Sequence, residues 1–476
     1  MIEQLQSLMK ALEAGSYNAA PGQLAQGASL MVEDLSPVMH NVTYEDSHIK
    51  LQKMLPSKDV KSQLHQFNRQ LDYGIFGGSA QFEGGIGEED TTNYVRAVVP
   101  MAYYSTTRRV TVAANMIGAF DGVKAEDRAA ADAAMKLAGD IEFDSFRGQS
   151  DYSNMGVFDG NPSVVAKLPN MIGLDQQVRQ SDGQLNTQDL MFAEFGSNQT
   201  VILSVGGTLT QSVIEDSSVR SAMNMGAADR LVLDPISLSA YNKIAHAKER
   251  IMLAGSAQEA TGAHLRTQWT SSAVVSLEAS RFLSGKTQPA RPRSGSPVAP
   301  TISSLTLSGS NVGSLLQTGN YVYYVTACTM RGESAPSSSS TIAVTMGYSV
   351  TVAISGAAQY FNVYRSDLNG SAAVAKFIGK VAANAAGTGA SFVDLGNRQP
   401  GSVTGFLVQA NTMGFAQLSP YSKLKLAVSD LSLPEAHFRF LSLAAYQPRK
   451  NVILENITGQ LAPNNPSMLS SGFISY

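Results

Sequence analysis

Hydrophobic and polar positions follow two different periods along the chain, and the longest helical period lies in residues 124–147. Leu137 and Ile141 fall on one face of that segment, at the spacing that a helix face requires. Glu126 and Asp127 lie in its first turn, where acids interact favourably with the helix dipole. The pattern predicts a helix that, at ~1.5 Å per residue, is more than about 30 Å long.

Shorter periodic segments surround this helix in no regular order. They include both helices and strands, and such irregular succession is typical of α+β folds rather than of repeated βαβ units. We therefore predict an α+β body. Its predicted elements are helices over 187–195 and 209–225, a strand and a helix over 231–244, a strand over 274–283, and further strands over 423–432 and 437–457.

Helical periods disappear after a Pro/Gly/Ser-rich linker at 285–300. Short alternating runs separated by turn residues follow, and about seven of them in a hundred residues predict an all-β sandwich over 297–402. The stretch from Tyr324 to Ser334 resembles immunoglobulin-like and fibronectin-type modules. It departs from antibody domains, because Cys328 has no disulfide partner. The runs are TISSLTL, YVYYVTACTM, TIAVTM, YSVTVAIS, YFNVYRS, VAKFIGKV and SFVDLG.

The N-terminal quarter of the chain lacks the hydrophobic pattern of a segment that forms its own core. Prolines and glycines interrupt residues 1–70, and residues 71–93 are rich in glycine, so we expect an extended arm and a loop there. Two β-rich stretches at 94–104 and 108–117 together predict a long two-stranded ribbon. Because such a ribbon is marginally stable alone in water, we expect arm and ribbon to rest on a partner.

The composition favours a protein that is buried against others. Net charge is −3, and charged residues make up 15% of the chain, against about a quarter in ordinary soluble domains. A surface poor in charge is easier to bury between subunits. The single cysteine excludes a disulfide framework within the chain. No apolar run reaches the ~18 residues of a membrane span, and the first residues predict an amphipathic helix rather than a signal peptide.

The common catalytic and metal-binding motifs are absent from the sequence. Six histidines are scattered singly, without the spacing of metal ligands. Carboxylate pairs such as Glu88-Glu89 and Glu142/Asp144 are expected by chance in a chain of this length. We therefore predict no catalytic residue, no cofactor, no metal site and no enzymatic activity.

The order of elements and several local segments resemble bacteriophage major capsid proteins with the HK97-type fold. The resemblance covers most of the chain outside the insert, and it lies in element order and local sequence rather than in one specific motif. Some shells of this family display an immunoglobulin-like insertion on the outside, which fits 297–402. The matching segments are AGDIEFDSFRG, GQLNTQDL, ADRLVLDPISLSAYNKI and PRKNVILENITG.

This resemblance implies a subunit that self-assembles into hexamers and pentamers of an icosahedral phage head. The head would assemble in the host bacterial cytoplasm and, in the virion, enclose double-stranded DNA without binding it specifically. Further partners would be a portal and decoration proteins, with no membrane contact. The implied domains are an N-terminal arm at 1–70, an extended β-loop at 71–118, a peripheral domain at 119–200, an axial domain at 201–296, the sandwich at 297–402, and a return to the axial and peripheral domains at 403–476.

The sequence departs from the family pattern in two respects. No long scaffolding segment precedes the arm, so we expect a separate scaffolding protein. No lysine lies between Gly74 and Ile117, so we expect no lysine–asparagine crosslink from this loop. An acidic cluster and a basic pair on the loop are candidate contacts across subunit boundaries, although ordinary solvated charge explains them equally well. These candidates are Glu88, Glu89, Asp90, Arg108 and Arg109.

Two other functions stay open at this point. A secreted carbohydrate-active enzyme with an accessory sandwich would need a signal peptide and two carboxylates converging in a cleft. A phage tail protein would show elongated repeats, and no internal repeat is present in the sequence. We also expect the sandwich to be an appendage, so that a chain lacking about 298–402 still assembles.

Overall fold

The structure is a computed structural model, and parts of the chain lie outside its description. The predicted helix at 187–195 and the first part of the predicted arm are among those parts. The structure describes residues 44–74, 79–87, 89–117, 123–148, 171–181, 200–203, 207, 209–246, 266–283, 298–308, 314–329, 332–358, 360–384, 386–428 and 430–458.

The described residues form six α-helices and twenty strands, joined by turns and short 3₁₀ segments. The helices are α1 (Leu51–Met54), α2 (Val112–Ile117), α3 (Ala125–Arg147), α4 (Leu174–Ser181), α5 (Gln211–Met223) and α6 (Pro235–His246). The strands are β1 (Ser57–Asp59), β2 (Leu64–Gln70), β3 (Tyr94–Pro100), β4 (Ala102–Thr111), β5 (Val201–Leu203), β6 (Arg230–Leu233), β7 (Thr267–Trp269), β8 (Val274–Ala279), β9 (Thr301–Leu307), β10 (Gly319–Thr329), β11 (Gly332–Glu333), β12 (Ser340–Val344), β13 (Val350–Ser355), β14 (Tyr360–Arg365), β15 (Lys376–Ala382), β16 (Gly389–Asp394), β17 (Val403–Val408), β18 (Met413–Lys425), β19 (Ser432–Ala445) and β20 (Val452–Ile457).

The long helix α3 confirms the sequence prediction over 124–147 and covers a four-stranded sheet of order β1-β18-β19-β4. Ile141 and Phe146 on its buried face share one core with Phe415 of β18 and Leu441 of β19. β18 and β19 form a long antiparallel hairpin, paired from Met413↔Ala445 to Lys425↔Glu435. The helix and the sheet that contains this hairpin form two packed layers of the α+β body.

The second sheet of the body has six strands in the order β5-β20-β17-β6-β8-β7. Leu231 of β6 and Leu454 of β20 lie in its core together with Ile214 of α5 and Tyr241 of α6. β17 and β20, which follow the insert, lie between β5 and β6, which precede it. The body is therefore completed only when the chain returns from the insert, and the predicted α+β class is confirmed.

The predicted insert folds as two packed sheets. A five-stranded sheet holds β10, β11, β12, β14 and β15, and a three-stranded sheet has the order β16-β13-β9. Tyr323 and Val363 of the first sheet and Val352 and Phe392 of the second belong to one shared core. All seven predicted strands are present. The immunoglobulin-like character of this sandwich stays a prediction.

The ribbon prediction over 94–117 was partly wrong. β3 does not pair with the following stretch; it pairs with β2, from Leu64↔Pro100 to Gln70↔Tyr94. β4 instead pairs with β19, whose long apolar strand offers ten residue pairs. Residues 112–117 form α2 rather than the end of a strand. The adjacent Ala113 and Ala114 are strong helix formers. The prediction used only the alternation of apolar and polar residues and did not take this helix propensity into account.

Candidate assembly surfaces

The observed ribbon differs from the predicted one: it consists of β2, β3 and the connecting segment 71–93, and the term has this meaning from here on. It is anchored to the body at its base. Arg69 donates from Nε to the carbonyl of Tyr446 at 2.9 Å and from Nη2 to the carbonyl of Ala445 at 2.8 Å. The ring of Phe67 meets Tyr446 edge-on, with centroids 4.9 Å apart. Val99 of β3 packs in a small core beside this contact. The end of β19 therefore fixes where the ribbon leaves the body.

The outer part of the ribbon has no core. Phe82 is 96% exposed and Ile86 is 92% exposed, and Tyr73 is almost equally bare. Asp72 organises the two ends of the segment: its carboxylate accepts from the backbone and the side chain of Asn93, at 3.1 and 2.7 Å. These hydrogen bonds lower the pKa of Asp72 from its ordinary value. The ribbon thus presents large apolar side chains on an ordered stem, and nothing in the described chain covers them.

The described end of the arm is attached to α3 by a buried carboxylate. Glu142 accepts the backbone N–H groups of Lys50, Leu51 and Gln52, at 2.9, 2.7 and 3.1 Å. Three consecutive amides at the start of α1 are the unpaired donors of a helix N-terminus, and a carboxylate satisfies them well. Burial raises the pKa of Glu142, although the three amides oppose that rise. This contact fixes the direction in which the chain enters the body at residue 50.

Tyr44, six residues before Lys50, also packs against α3. Its ring lies over Gly139 and leaves no room for a side chain at that position. Its hydroxyl donates to the carbonyl of Met135 at 3.0 Å. A Cβ atom at Gly139 would lie 2.4 Å from that hydroxyl. Helix α3 is therefore shaped to receive the arm, and Gly139 is a position where a side chain would lift it away.

The charged residues predicted as subunit contacts are not brought together within the chain. Glu88 lies outside the described residues. Glu89 and Asp90 are exposed on the ribbon, where Asp90 Oδ1 accepts the backbone N–H of Thr91 at 2.8 Å. Arg109 lies on β4 and forms an exposed ion pair with Asp430, Nη1 to Oδ2 at 3.2 Å. Arg108 is opposite Glu435 in the sheet register. Their role between subunits stays a prediction.

A second exposed apolar surface lies where the β18–β19 hairpin turns, and the sequence analysis missed it. Leu431 is exposed beside α2, and its carbonyl accepts the backbone N–H of Val112 at 3.0 Å. Leu424 and Val428 are exposed on the same turn, and Met116 is exposed on α2. The run LKLAVSDL was interpreted as strand only. Its several apolar residues close to Asp430 were the available signal.

A buried ion network, which we call the junction network, joins the sandwich to the body. Asp175 of α4 pairs with Arg179 Nε at 2.9 Å and with Lys380 Nζ of β15 at 2.7 Å. Glu455 of β20 pairs with Arg179 and, at 3.2 Å, with Arg398 Nη1. The four side chains other than Arg398 are at most 11% exposed. Two acids and two bases are thus held largely away from water, and the partly exposed Arg398 borders them.

The electrostatics of this network keep both acids ionised. Burial alone raises the pKa of Asp175, but Arg179 and Lys380 outweigh it and hold that pKa well below its usual range. Burial likewise raises the pKa of Glu455, and Arg179 and Arg398 lower it below its ordinary value. An acid–base pair for glycoside hydrolysis needs one carboxyl with a raised pKa. Asp175 and Glu455 therefore do not have the properties of such a pair.

Among the described residues, no group of three or more His, Cys, Asp or Glu side chains is arranged to hold a metal ion. None of the helices described here combines the length and the apolar character needed to cross a membrane.

No protein-family model and no curated protein matches the sequence. Solved structures of shell proteins are similar over nearly the whole chain. The capsid of a native GTA particle has 11% identity and a TM-score of 0.46, covering 91% of this chain and 98% of that chain. The capsid of cyanophage P-SCSP1u has 9% identity and a TM-score of 0.44, covering 94% and 98%. The SrpI encapsulin of Synechococcus elongatus has 8% identity and a TM-score of 0.41, covering 92% and 99%. Because each TM-score is below 0.5, this similarity alone establishes no function.

Proposed function

We propose that the chain is a structural major capsid subunit of the HK97 type, which self-assembles into hexamers and pentamers of an icosahedral phage head that encloses double-stranded DNA. The observation that carries the proposal is the ribbon. It is fixed at its base by Arg69 and Phe67 and bare at its end, where Phe82 and Ile86 are more than nine-tenths exposed. A ribbon built in this way is completed by a neighbouring copy.

The energetics favour repeated contacts over a single strong one. Burying a Phe or Ile side chain fully contributes about 1.5–3 kcal/mol. One ribbon therefore offers only a few kcal/mol, much of which is offset by the cost of association and ordering. In a closed shell each subunit both gives and receives such a contact, and rings form when the repeated rotation closes. Many modest contacts are then sufficient for a stable particle.

The attachment of the arm supports the same function. Glu142 and the hydrogen bond from Tyr44 to Met135 fix the described end of the arm, residues 44–52, on α3. An arm that starts from a fixed point can reach a neighbour reproducibly. We propose further that assembly takes place in the host bacterial cytoplasm, with a separate scaffolding protein, a portal and decoration proteins as partners. The net charge of −3 fits DNA that is enclosed rather than tightly bound.

The alternatives have less support from the described residues. Asp175 and Glu455, two buried carboxylates that share Arg179, are both held ionised by basic partners, which is unsuited to a glycosidase. A tail protein built of elongated repeats is not indicated by a body of two sheets with one sandwich insert. Electron microscopy of the purified chain distinguishes the three functions. Closed shells support the capsid function, while a stable monomer with hydrolase activity would exclude it.

The ribbon contact is tested with a matched pair of double variants. Phe82→Ser with Ile86→Ser removes the apolar end of the ribbon without touching its base. Met346→Ser with Val393→Ser makes the same kind of change at two exposed positions of the sandwich. We expect the ribbon variant to remain folded and to form no shells, and the sandwich variant to assemble like the wild type. Normal assembly of the ribbon variant would overturn the proposed role of the ribbon.

A further inference from the structure

The sandwich is attached to the body through buried charge as well as through its two chain connections. Lys380 and Arg398 come from the insert, and Asp175 and Glu455 come from the body. Arg179 of α4 bonds to both acids and so links the two pairs. Lys380 Nζ also lies 5.2 Å from the centroid of the Tyr360 ring, a cation–π contact on the sandwich side.

Burial decides what this network contributes. An exposed ion pair adds little, because water solvates the separated charges almost equally well. A buried pair is different: once one partner is removed, the other is left charged and poorly solvated. The side chains of Asp175 and Lys380 are 6% and 8% exposed. Loss of Lys380 would therefore take one of its two ion-pair partners from Asp175 and leave Arg179 as the other.

A second set of contacts holds the exit of the insert. Asn456 of β20 accepts the backbone N–H of Gln399 at Oδ1, at 2.7 Å. Its Nδ2 donates to the carbonyl of Asn397 at 2.9 Å. Asn456 has a φ of +63°, in the left-handed region that asparagine tolerates better than most residues. The strand that carries Glu455 thus also positions the chain as it leaves the sandwich.

The outer face of the five-stranded sheet is buried as well. Phe361 and Val363 of β14 point into the sandwich core, so the alternating residues Asn362 and Tyr364 point away from it. Asn362 is nevertheless 0% exposed and Tyr364 is 1% exposed. The three-stranded sheet differs, because Val393 on its outer face is half exposed. The sandwich therefore has one covered face and one open face.

We propose that the sandwich is an integral part of the subunit, held by the junction network so that sandwich and body unfold as one cooperative unit. This inference does not depend on the proposed capsid function, because it concerns a single chain. It replaces the expectation of a dispensable appendage: an appendage would not supply two of the three bases that neutralise buried acids of the body. In any assembly, the open face would then point in a fixed direction.

Native-state hydrogen exchange on the full chain tests this inference. Val325 and Val363 report on the sandwich core, and Ile453 and Leu454 report on the body. In the wild type we expect the slowest amides of both groups to open with the same free energy and the same dependence on denaturant. Separate opening free energies with separate slopes would overturn the proposal, whatever the variants below do.

Three variants identify the network as the cause. Lys380→Met keeps most of the apolar stem of the side chain and removes its charge, and we expect exchange of both amide groups to become at least about tenfold faster, a change of ~1.4 kcal/mol. Lys380→Arg restores a cation and should stay near the wild type. Lys376→Met changes a lysine on the same strand that forms no ion pair with any described residue, and should have no effect. Faster exchange of the sandwich amides only, or equal effects of Lys380→Met and Lys376→Met, would contradict the proposal.

Discussion

The ribbon and the sandwich both leave the body as β structure, yet they are completed differently. The ribbon has two strands, its described residues form no core beyond its base, and its described outer side chains are bare. The sandwich closes its own core between two sheets and still buries the outer face of one of them. In the proposed shell, a neighbouring copy covers the ribbon, whereas the sandwich is completed within its own chain. On this proposal, apolar exposure identifies the part that serves assembly, and buried charge identifies the part that serves the fold.

The largest expected effect comes from removing the sandwich. Replacing residues 298–402 by a short Gly/Ser bridge takes away Lys380 and Arg398 and uncovers Asp175 and Glu455. Leaving buried charges with fewer partners costs about 3–5 kcal/mol, a large part of the stability of a typical domain. We expect the shortened body to be unfolded or insoluble, as measured by circular dichroism and sedimentation. A shortened chain that folds and forms shells would show that the body does not need the sandwich to fold, and would contradict the contrast between ribbon and sandwich.

A smaller effect is expected from acid. The pKa values of Asp175 and Glu455 are lowered in the folded chain, so both groups stabilise it fully above the pKa of an unfolded carboxyl, about 4. That stabilisation is lost as the pH falls from there towards the lowered folded values. We expect the melting temperature of Asp175→Asn to depend less steeply on pH below ~5 than that of the wild type. Asp132→Asn, at an exposed position of α3, should keep the wild-type slope.

The smallest effect is expected from charge reversal on β4. Arg109→Glu removes an exposed candidate partner of Glu89 and Asp90, and exposed ion pairs contribute about 0.2–1 kcal/mol each. Arg108 is left unchanged, because it is half-buried and lies opposite the buried Glu435. We expect assembly, followed by light scattering, to slow severalfold at low salt and to approach the wild type at high salt. Lys58→Glu is the matched reversal at an exposed position. Equal slowing by both variants would remove the acidic cluster as a specific contact.

Local pattern predicted much of the fold, because its signals lie within single segments. The helical period of 124–147 and the alternating runs of the insert each contain their own evidence. The pairing of β2 with β3 was missed, because pairing depends on which distant strand offers the longer partner. β19 provides that partner for β4, from a position more than 300 residues away.

The functional surfaces were predicted less completely than the fold. The glycine-rich segment marked the ribbon, but not which side chains would be bare. Asp175 and Arg179 have the i, i+4 spacing of a helical ion pair, so one of the four ion pairs of the junction network could have been found from sequence. Lys380 lies more than 200 residues away, and only the folded chain brings it to Asp175 at 2.7 Å.

The central claim is that a neighbouring copy covers the end of the ribbon, and oxidative footprinting of particles against unassembled chains measures it directly. Phe82 and Met346 are both well exposed in the single chain, one on the ribbon and the other on the sandwich. We predict that assembly lowers the oxidation of Phe82 by at least about tenfold, as burial excludes the oxidant, while Met346 stays reactive. Unchanged oxidation of Phe82 in closed particles would contradict the account.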